Sequence, residues 1–399
     1  MTYRRGGAVV AILATIAAAA ALAASTASAA ANTVVIGWAF DGKGPMAPFD
    51  GPALAAAKLR INQWNAKSAS TGVTIKLNTC DTQGDKPATS KACALKLIGQ
   101  GSQIIFTTCD VELAAPVVQE AINRALLAVA PCIGTDQMGP KRFGPKGRLA
   151  FSFGNVAQDE GSAMAQYAWN KGWRSAALAT DTVIIYFRNV VQAFAARWKQ
   201  LGGKIVASET YQSDPTGSGK TSGVPNVISR LSQVKADVIV TATAPPWGAQ
   251  VPLMAGLASL GKTTPIINSW AGDGAYWLPK DPKVSNYYFV TYASVFGDDP
   301  VPAVNKLAKQ VKAGTGGFLT GPAAIDGIVT AVRRAGGSTN GLKLASVMEK
   351  FHNVPTLSGL VSFSPRLHTV YGRQYRVIRI QDNVPKRVGT ITAKVVPKI

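Results

Sequence analysis

Short apolar runs recur along this chain with room for one helix between each pair, and that alternation restricts the fold more than any other feature. Thr33 to Phe40 is a β-rich run that ends in a Gly/Pro loop, Asp41 to Pro52. In the helix that follows, Leu54, Ala57, Ile61 and Trp64 repeat at helical spacing. Strands are expected at Thr74–Asp81, Ile104–Thr108 and Leu126–Pro131, with helices at Ala88–Gly99 and Leu113–Ala125 between them. Buried strands separated by helices imply a parallel sheet with helices on both faces. Right-handed crossovers leave few ways to arrange it.

The pattern restarts near Leu149–Phe153. Strands are expected at Ser175–Ala179, Lys204–Tyr211, Ala236–Thr243, Pro265–Trp270 and Tyr287–Ala293, again separated by helices. Three late helices, Pro302–Ala313, Gly321–Ala335 and Lys343–Phe351, precede strands at Leu357–Phe363 and Gln374–Ile380. The first unit has too few helices to cover its sheet unless these late ones return to it. The expected fold class is therefore α/β, with two doubly wound parallel-sheet lobes. Lobe one takes residues 32–151 and 292–355, and lobe two takes 152–291 and 356–399. Crossings near Ser152, Thr291 and Ser358 would form a multi-strand hinge.

Residues 1–31 read as a secretory signal peptide: Arg4 and Arg5, an apolar stretch from Val9 to Leu22, and small residues at Ala27-Ser28-Ala29. That stretch is too short and Ala-rich to span a bilayer stably. The mature chain is then expected outside the cytoplasm, where an even set of cysteines favours disulfides. Cys80 ends one strand and Cys93 lies in the next helix, while Cys109 and Cys132 end strands that should be neighbours. Of the three possible pairings, Cys80–Cys93 and Cys109–Cys132 is preferred. The wide cysteine gaps and the distant His352 and His368 argue against a metal site, and no cofactor is expected.

The formal charge of +21 falls to +19 once Arg4 and Arg5 leave with the signal. Such an excess suits an anionic partner or a well-solvated surface. Eight Lys/Arg and one acid, Asp382, lie between Pro365 and Ile399, but Arg373, Arg376 and Arg379 interleave with Tyr375, Val377 and Ile378 as in a strand. The solvated surface is the favoured reading, and no nucleic-acid partner is expected.

Three passages resemble the leucine/isoleucine/valine-binding protein family, the type I periplasmic substrate-binding proteins of ABC importers. They are Val34-Val35-Ile36-Gly37 through Gly44-Pro45 to Phe49 and Gly51; Asp81-Thr82-Gln83-Gly84-Asp85 through Pro87-Ala88 and the following helix to Ile104-Ile105-Phe106; and Ala114-Ala115-Pro116-Val117 through to Ala130-Pro131-Cys132. The likeness spans roughly Asn32 to Asp382. It implies a monomeric two-lobed protein in the periplasm that captures a small molecule and delivers it to an ABC permease in the inner membrane, with no chemistry of its own.

Ligands of parallel α/β sheets bind beyond the carboxyl ends of the strands. The resemblance then points to Asp110, Cys132, Gly134 and Thr135 in lobe one, and to Tyr186, Trp247, Trp270 and Asp273 in lobe two. The family usually carries a small hydroxyl residue near Asp110 and, in amino-acid binders, an acid near Trp270; this chain departs at both. Phe49, Tyr186, Trp247 and Trp270 would wall the cleft with rings, which suits flat, apolar or cationic ligands. The missing acid argues against an α-ammonium group held in the usual way.

Thr216-Gly217-Ser218-Gly219-Lys220-Thr221 ends like a phosphate-binding loop, but Asp214 stands where its first glycine belongs. There is no H-E-x-x-H or G-x-S-x-G motif, and no catalytic residue is assigned. The competing reading is an anionic-surface-binding protein or an enzyme on the same fold, with Asp159 and Glu160 as the acid pair to watch.

Overall fold

A computed structural model describes residues 32–216 and 218–399; the expected signal peptide lies outside them. Strands β1 (Asn32–Phe40), β2 (Val73–Asp81), β3 (Ile104–Phe106), β4 (Leu127–Ala130) and β5 (Ala150–Asn155) form the first sheet, joined late in the chain by a short strand at Thr369–Val370. All its pairings are parallel, in the order late strand, β5, β4, β3, β1, β2. Its crossover helices are α1 (Ala47–Asn65), α2 (Pro87–Gly99) and α3 (Val111–Asn123).

The second sheet contains β6 (Ser175–Asp181), β7 (Lys204–Tyr211), β8 (Val238–Ala242), β9 (Ile266–Asn268) and β10 (Tyr287–Thr291), all parallel. Two antiparallel strands, Tyr375–Gln381 and Val384–Ile391, extend its β10 edge. Between β5 and β10 run α4 (Ala157–Asn170), α5 (Ile185–Gln200), α6 (Val224–Gln233) and α7 (Gln250–Ser259). The late helices Thr320–Arg334 and Gly341–Met348 bury Ile325, Ile328, Val332 and Leu344 in the first core, alongside Trp38, Phe106 and Phe151. That supplies the cover the first sheet lacked.

Two boundaries differ from expectation. Residues 356–370, assigned to lobe two, stay with lobe one: Val361 and Phe363 pack in its core, Phe363 sets its ring edge-on to Phe151 and Phe153, and Thr369–Val370 pairs with β5. The third crossing therefore lies between Val370 and Tyr375 and not at Ser358. The expected strand Leu357–Phe363 is instead half of a small hairpin, Val354–Thr356 against Gly359–Val361.

The second difference is in the segment Asp41–Pro52, read as a loop. Its second half is the start of α1, so Phe49 and Asp50 are helical. Pro52 has no N–H for the carbonyl of Pro48, which would ordinarily cost helix stability. Here that carbonyl accepts from the Thr315 hydroxyl at 3.3 Å, so it is not left bare. The Asp41 carboxylate orders the remaining turn by accepting from the N–H groups of Lys43, Gly44, Met46 and Gly84 at 2.7–3.1 Å.

Asn155 ties the three crossings together. Its backbone N–H donates to the Tyr292 hydroxyl at 3.1 Å, and its side-chain amide donates to the Tyr375 hydroxyl at 2.6 Å and to Asp159 at 2.7 Å. One residue from each passage thus meets in a buried network, a fixed point about which two lobes can turn.

Candidate functional site

The carboxyl ends of the two sheets face each other across a cleft of about 400 Å³, counting the part open to solvent. The first lobe contributes Met46, Phe49, Cys109, Asp110, Gly134 and Thr135. The second contributes Tyr186, Phe187, Trp247 and Trp270. Phe49 meets Trp270 edge-on across the cleft, with centroids 5.2 Å apart and planes at 85°. Trp270 also lies 6.2 Å from Tyr186 and 5.4 Å from Tyr292, and Trp247 lies 5.2 Å from Phe187.

Cys109 and Cys132, whose Cα atoms are 4.8 Å apart, are joined by a disulfide that staples the ends of β3 and β4. Cys109 lines the cleft, whereas Cys132 stands behind it. A methyl group placed on Gly134 would come within 2.6 Å of the Tyr186 ring, so only glycine permits this approach of the lobes. The other disulfide, Cys80–Cys93, has a Cα separation of 5.5 Å and lies away from the cleft.

Asp110 is the one ionisable acid or base on the cleft wall apart from Tyr186. It occupies the N-cap of α3, and one carboxyl oxygen accepts from the N–H groups of Glu112 and Leu113 at 3.0 Å each. Burial, reinforced by the charge of Glu112, pushes its pKa up to about 8. The expected repulsion of anions is thus tempered, because the upward shift favours the neutral carboxyl, which can donate. Glu112 itself reaches across the cleft and accepts from the N–H of Ile185 at 3.2 Å.

Asp273 does not line the cleft. The chain after β9 makes a tight turn at Trp270–Gly272, which turns the acid inward to accept from the Thr291 hydroxyl and the Gly316 N–H, each at 2.6 Å. Burial raises its pKa to about 7.

Glu160 was singled out in the sequence only as half of an acid pair, yet it braces the second wall. It lies in the first turn of α4, fully buried, accepting from the Tyr186 hydroxyl at 2.8 Å and the Trp270 N–H at 2.7 Å. Burial lifts its pKa to about 8. Its neighbour Asp159 accepts from Asn155 and from the Gly372 N–H at 3.1 Å, in the hinge. The two carboxyls therefore serve separate networks. The indole N–H groups of Trp247 and Trp270 are buried without a partner among the described residues.

Asp50 lies within 4.8 Å of the Cys109 and Cys132 sulfurs, but bonded sulfurs are not thiolate ligands. In the loop resembling a phosphate cradle, Asp214 accepts from Thr216, Ser218 and the Lys220 N–H, so a carboxylate fills the centre of that turn. No helix among the described residues is long and apolar enough to cross a membrane.

Residues 33–385 match the family described as periplasmic binding protein. A comparison with curated proteins finds no match in sequence. Among solved structures, the fold is similar to a leucine-binding protein from Thermotoga maritima, at 16% identity and TM-score 0.73, covering 90% of this chain and 98% of that one. A branched-chain amino acid transporter substrate-binding protein from Streptococcus pneumoniae, in complex with isoleucine, gives 16% and 0.73 with coverage of 92% and 100%. A solute-binding protein of an ABC transporter from Rhodopseudomonas palustris, in complex with benzoate, gives 15% and 0.71 with coverage of 92% and 98%.

Proposed function

The chain belongs to the periplasmic binding protein family, and from that premise we propose that it captures a small, uncharged, largely apolar molecule between its lobes and presents it to an ABC-type permease. The observation that carries this reading is the make-up of the cleft wall among the described residues: rings and aliphatic groups, one carboxyl at Asp110, and no Lys, Arg or His. Isoleucine and benzoate, bound by two of the similar structures, each bring a carboxylate. Here that group would face a carboxyl with no cation to pair it, and burying an unpaired charge is costly.

A neutral aromatic alcohol or amide fits the same wall. Its ring packs beside the Phe49–Trp270 pair, and its oxygen accepts from protonated Asp110 or from an indole N–H left free on the second wall. Residues 32–155 with 292–370 would move as one lobe, and 156–291 with 371–399 as the other, closing over the ligand about the Asn155 network.

A thermal-shift series with benzyl alcohol, benzamide, benzoate, benzylamine and leucine tests this, because a ligand of the folded state raises the melting temperature by mass action. The neutral pair should raise it most, and their effect should fade above pH 8 as Asp110 ionises. An effect confined to benzylamine, growing as the pH rises, would instead make the ligand a cation.

A further inference from the structure

A second and roomier pocket, about 840 Å³ with its open mouth, lies on the second lobe at the amino ends of β9 and β10, the opposite end of the sheet from the cleft. It shares no lining residue with the cleft. Met254 and Leu257 of α7, with Trp277 and Val284 of the segment before β10, make it apolar. The Trp277 ring is held edge-on against Tyr287 at 5.2 Å, so that wall is a fixed surface, and its indole N–H is buried without a partner among the described residues.

The charges on its wall are of one sign. Lys262 and Lys283 are the ionisable residues that line it, and no Asp or Glu does. Neither lysine has a carboxylate within ion-pair distance among the described residues. Lys262 donates one hydrogen bond to the carbonyl of Val234 and keeps its other protons, while Lys283 is exposed. Asp382, whose charge interacts with that of Lys283, is taken up by the Ser285 hydroxyl and the Gln381 amide.

An apolar wall with two ammonium groups outside ion-pair distance of any carboxylate among the described residues, and with Asp382 only at its rim, has the complementarity for an apolar body carrying one anionic head. We propose that this pocket is a separate binding site for a small amphipathic carboxylate, its chain or ring against Met254, Leu257 and Trp277 and its carboxylate between Lys262 and Lys283. This ligand is anionic where the proposed cleft ligand is uncharged, so the two sites can be told apart by chemistry as well as by position.

Calorimetry of the full mature chain with sodium decanoate, at low salt and below its micelle concentration, is the test. One equivalent should bind, at least tenfold more tightly than decyltrimethylammonium. Lys283→Glu, an exposed change that leaves folding intact, should weaken decanoate about tenfold, the scale of one ionic contact at 1.4 kcal/mol. Ala255→Trp, which fills the pocket, should abolish decanoate binding while benzyl alcohol still binds in the cleft. Equal binding of the cationic chain, or decanoate binding lost in Trp270→Ala and retained in Ala255→Trp, would overturn the proposal. So would the absence of binding at millimolar decanoate.

Discussion

On the first-lobe side of the cleft a disulfide, a helix cap and a glycine set the position of the chain, and Phe49 is the one ring that lines it. On the second-lobe side the surface is a set of rings held by one buried carboxyl, Glu160, which grips both Tyr186 and Trp270. A wall fixed by a staple, a cap and a close glycine contact has little freedom to re-pack, so it serves as a template. A wall of rings can be reshaped by substitution, and its rigidity depends on the group behind it. On the proposed reading, ligand selection by shape would rest mainly on the rings and closure mainly on Gly134.

The sharpest way to break this contrast is Gly134→Val. Its side chain would meet the Tyr186 ring, where even a Cβ has 2.6 Å, so the lobes could not close and binding of any cleft ligand should fall by a factor on the order of 1,000, roughly three tenfold steps of affinity. Unfolding by urea should change less than binding, since opening relieves the clash with Tyr186 and leaves only the 3.1 Å approach to the Asn155 carbonyl in the same lobe. Binding that survives this change would show that closure does not bring Gly134 to Tyr186.

Trp270→Ala comes next. Removing a central, 3% exposed ring that contacts Phe49 should weaken an aromatic ligand about 100-fold, the scale of a binding hot spot. Phe49→Ala should cost less, because Trp270 remains in place. Equal losses at both would mean that the two rings act as one unit. Calorimetry on the two single variants and the double variant separates these outcomes.

The disulfides give a smaller effect and a direct control. Replacing Cys109 and Cys132 together by serine, or Cys80 and Cys93 together, should each reduce stability to denaturant by about 2–4 kcal/mol. Only the first pair stands at the cleft, so only its loss should also weaken ligand binding. Matched losses of affinity in both variants would refute the template role given to the Cys109–Cys132 staple.

The smallest effect is in the pH dependence of stability. Glu160, with its pKa raised from 4.5 to about 8 by burial, keeps a proton in the folded state that the unfolded chain has released between those values. Stability therefore falls as the pH rises through that window and levels off above about 8. Asp110, raised to about 8, acts in the same direction. The melting temperature should be a few degrees higher at pH 5.5 than at pH 8, and Glu160→Gln should flatten part of that slope. An unchanged slope in the variant would mean that Glu160 is ionised behind the wall at neutral pH.

Much of this architecture was legible in the sequence because runs such as Ile104–Phe106 and Val238–Ala242 are buried on both faces and read as continuous apolar segments. Strand ends then led to Asp110, Gly134, Tyr186, Trp247 and Trp270, all of which line the cleft. Turn chemistry was less legible. Gly44, Pro45 and Pro52 suggested a loop where a helix forms, since the partner of the stranded carbonyl, Thr315, lies far along the chain. Asp273 was placed by distance from a strand end, and a single tight turn sent it inward. The bracing role of Glu160 rests on hydrogen bonds to residues 26 and 110 positions away, which no local pattern encodes.

The most direct test of the cleft reading is calorimetric titration of the ligand-stripped protein at pH 7 with benzyl alcohol and, separately, with leucine. The account predicts heat and a 1:1 stoichiometry for the neutral aromatic, abolished by Gly134→Val, and none for leucine. Micromolar binding of leucine, retained in Trp270→Ala, would contradict it.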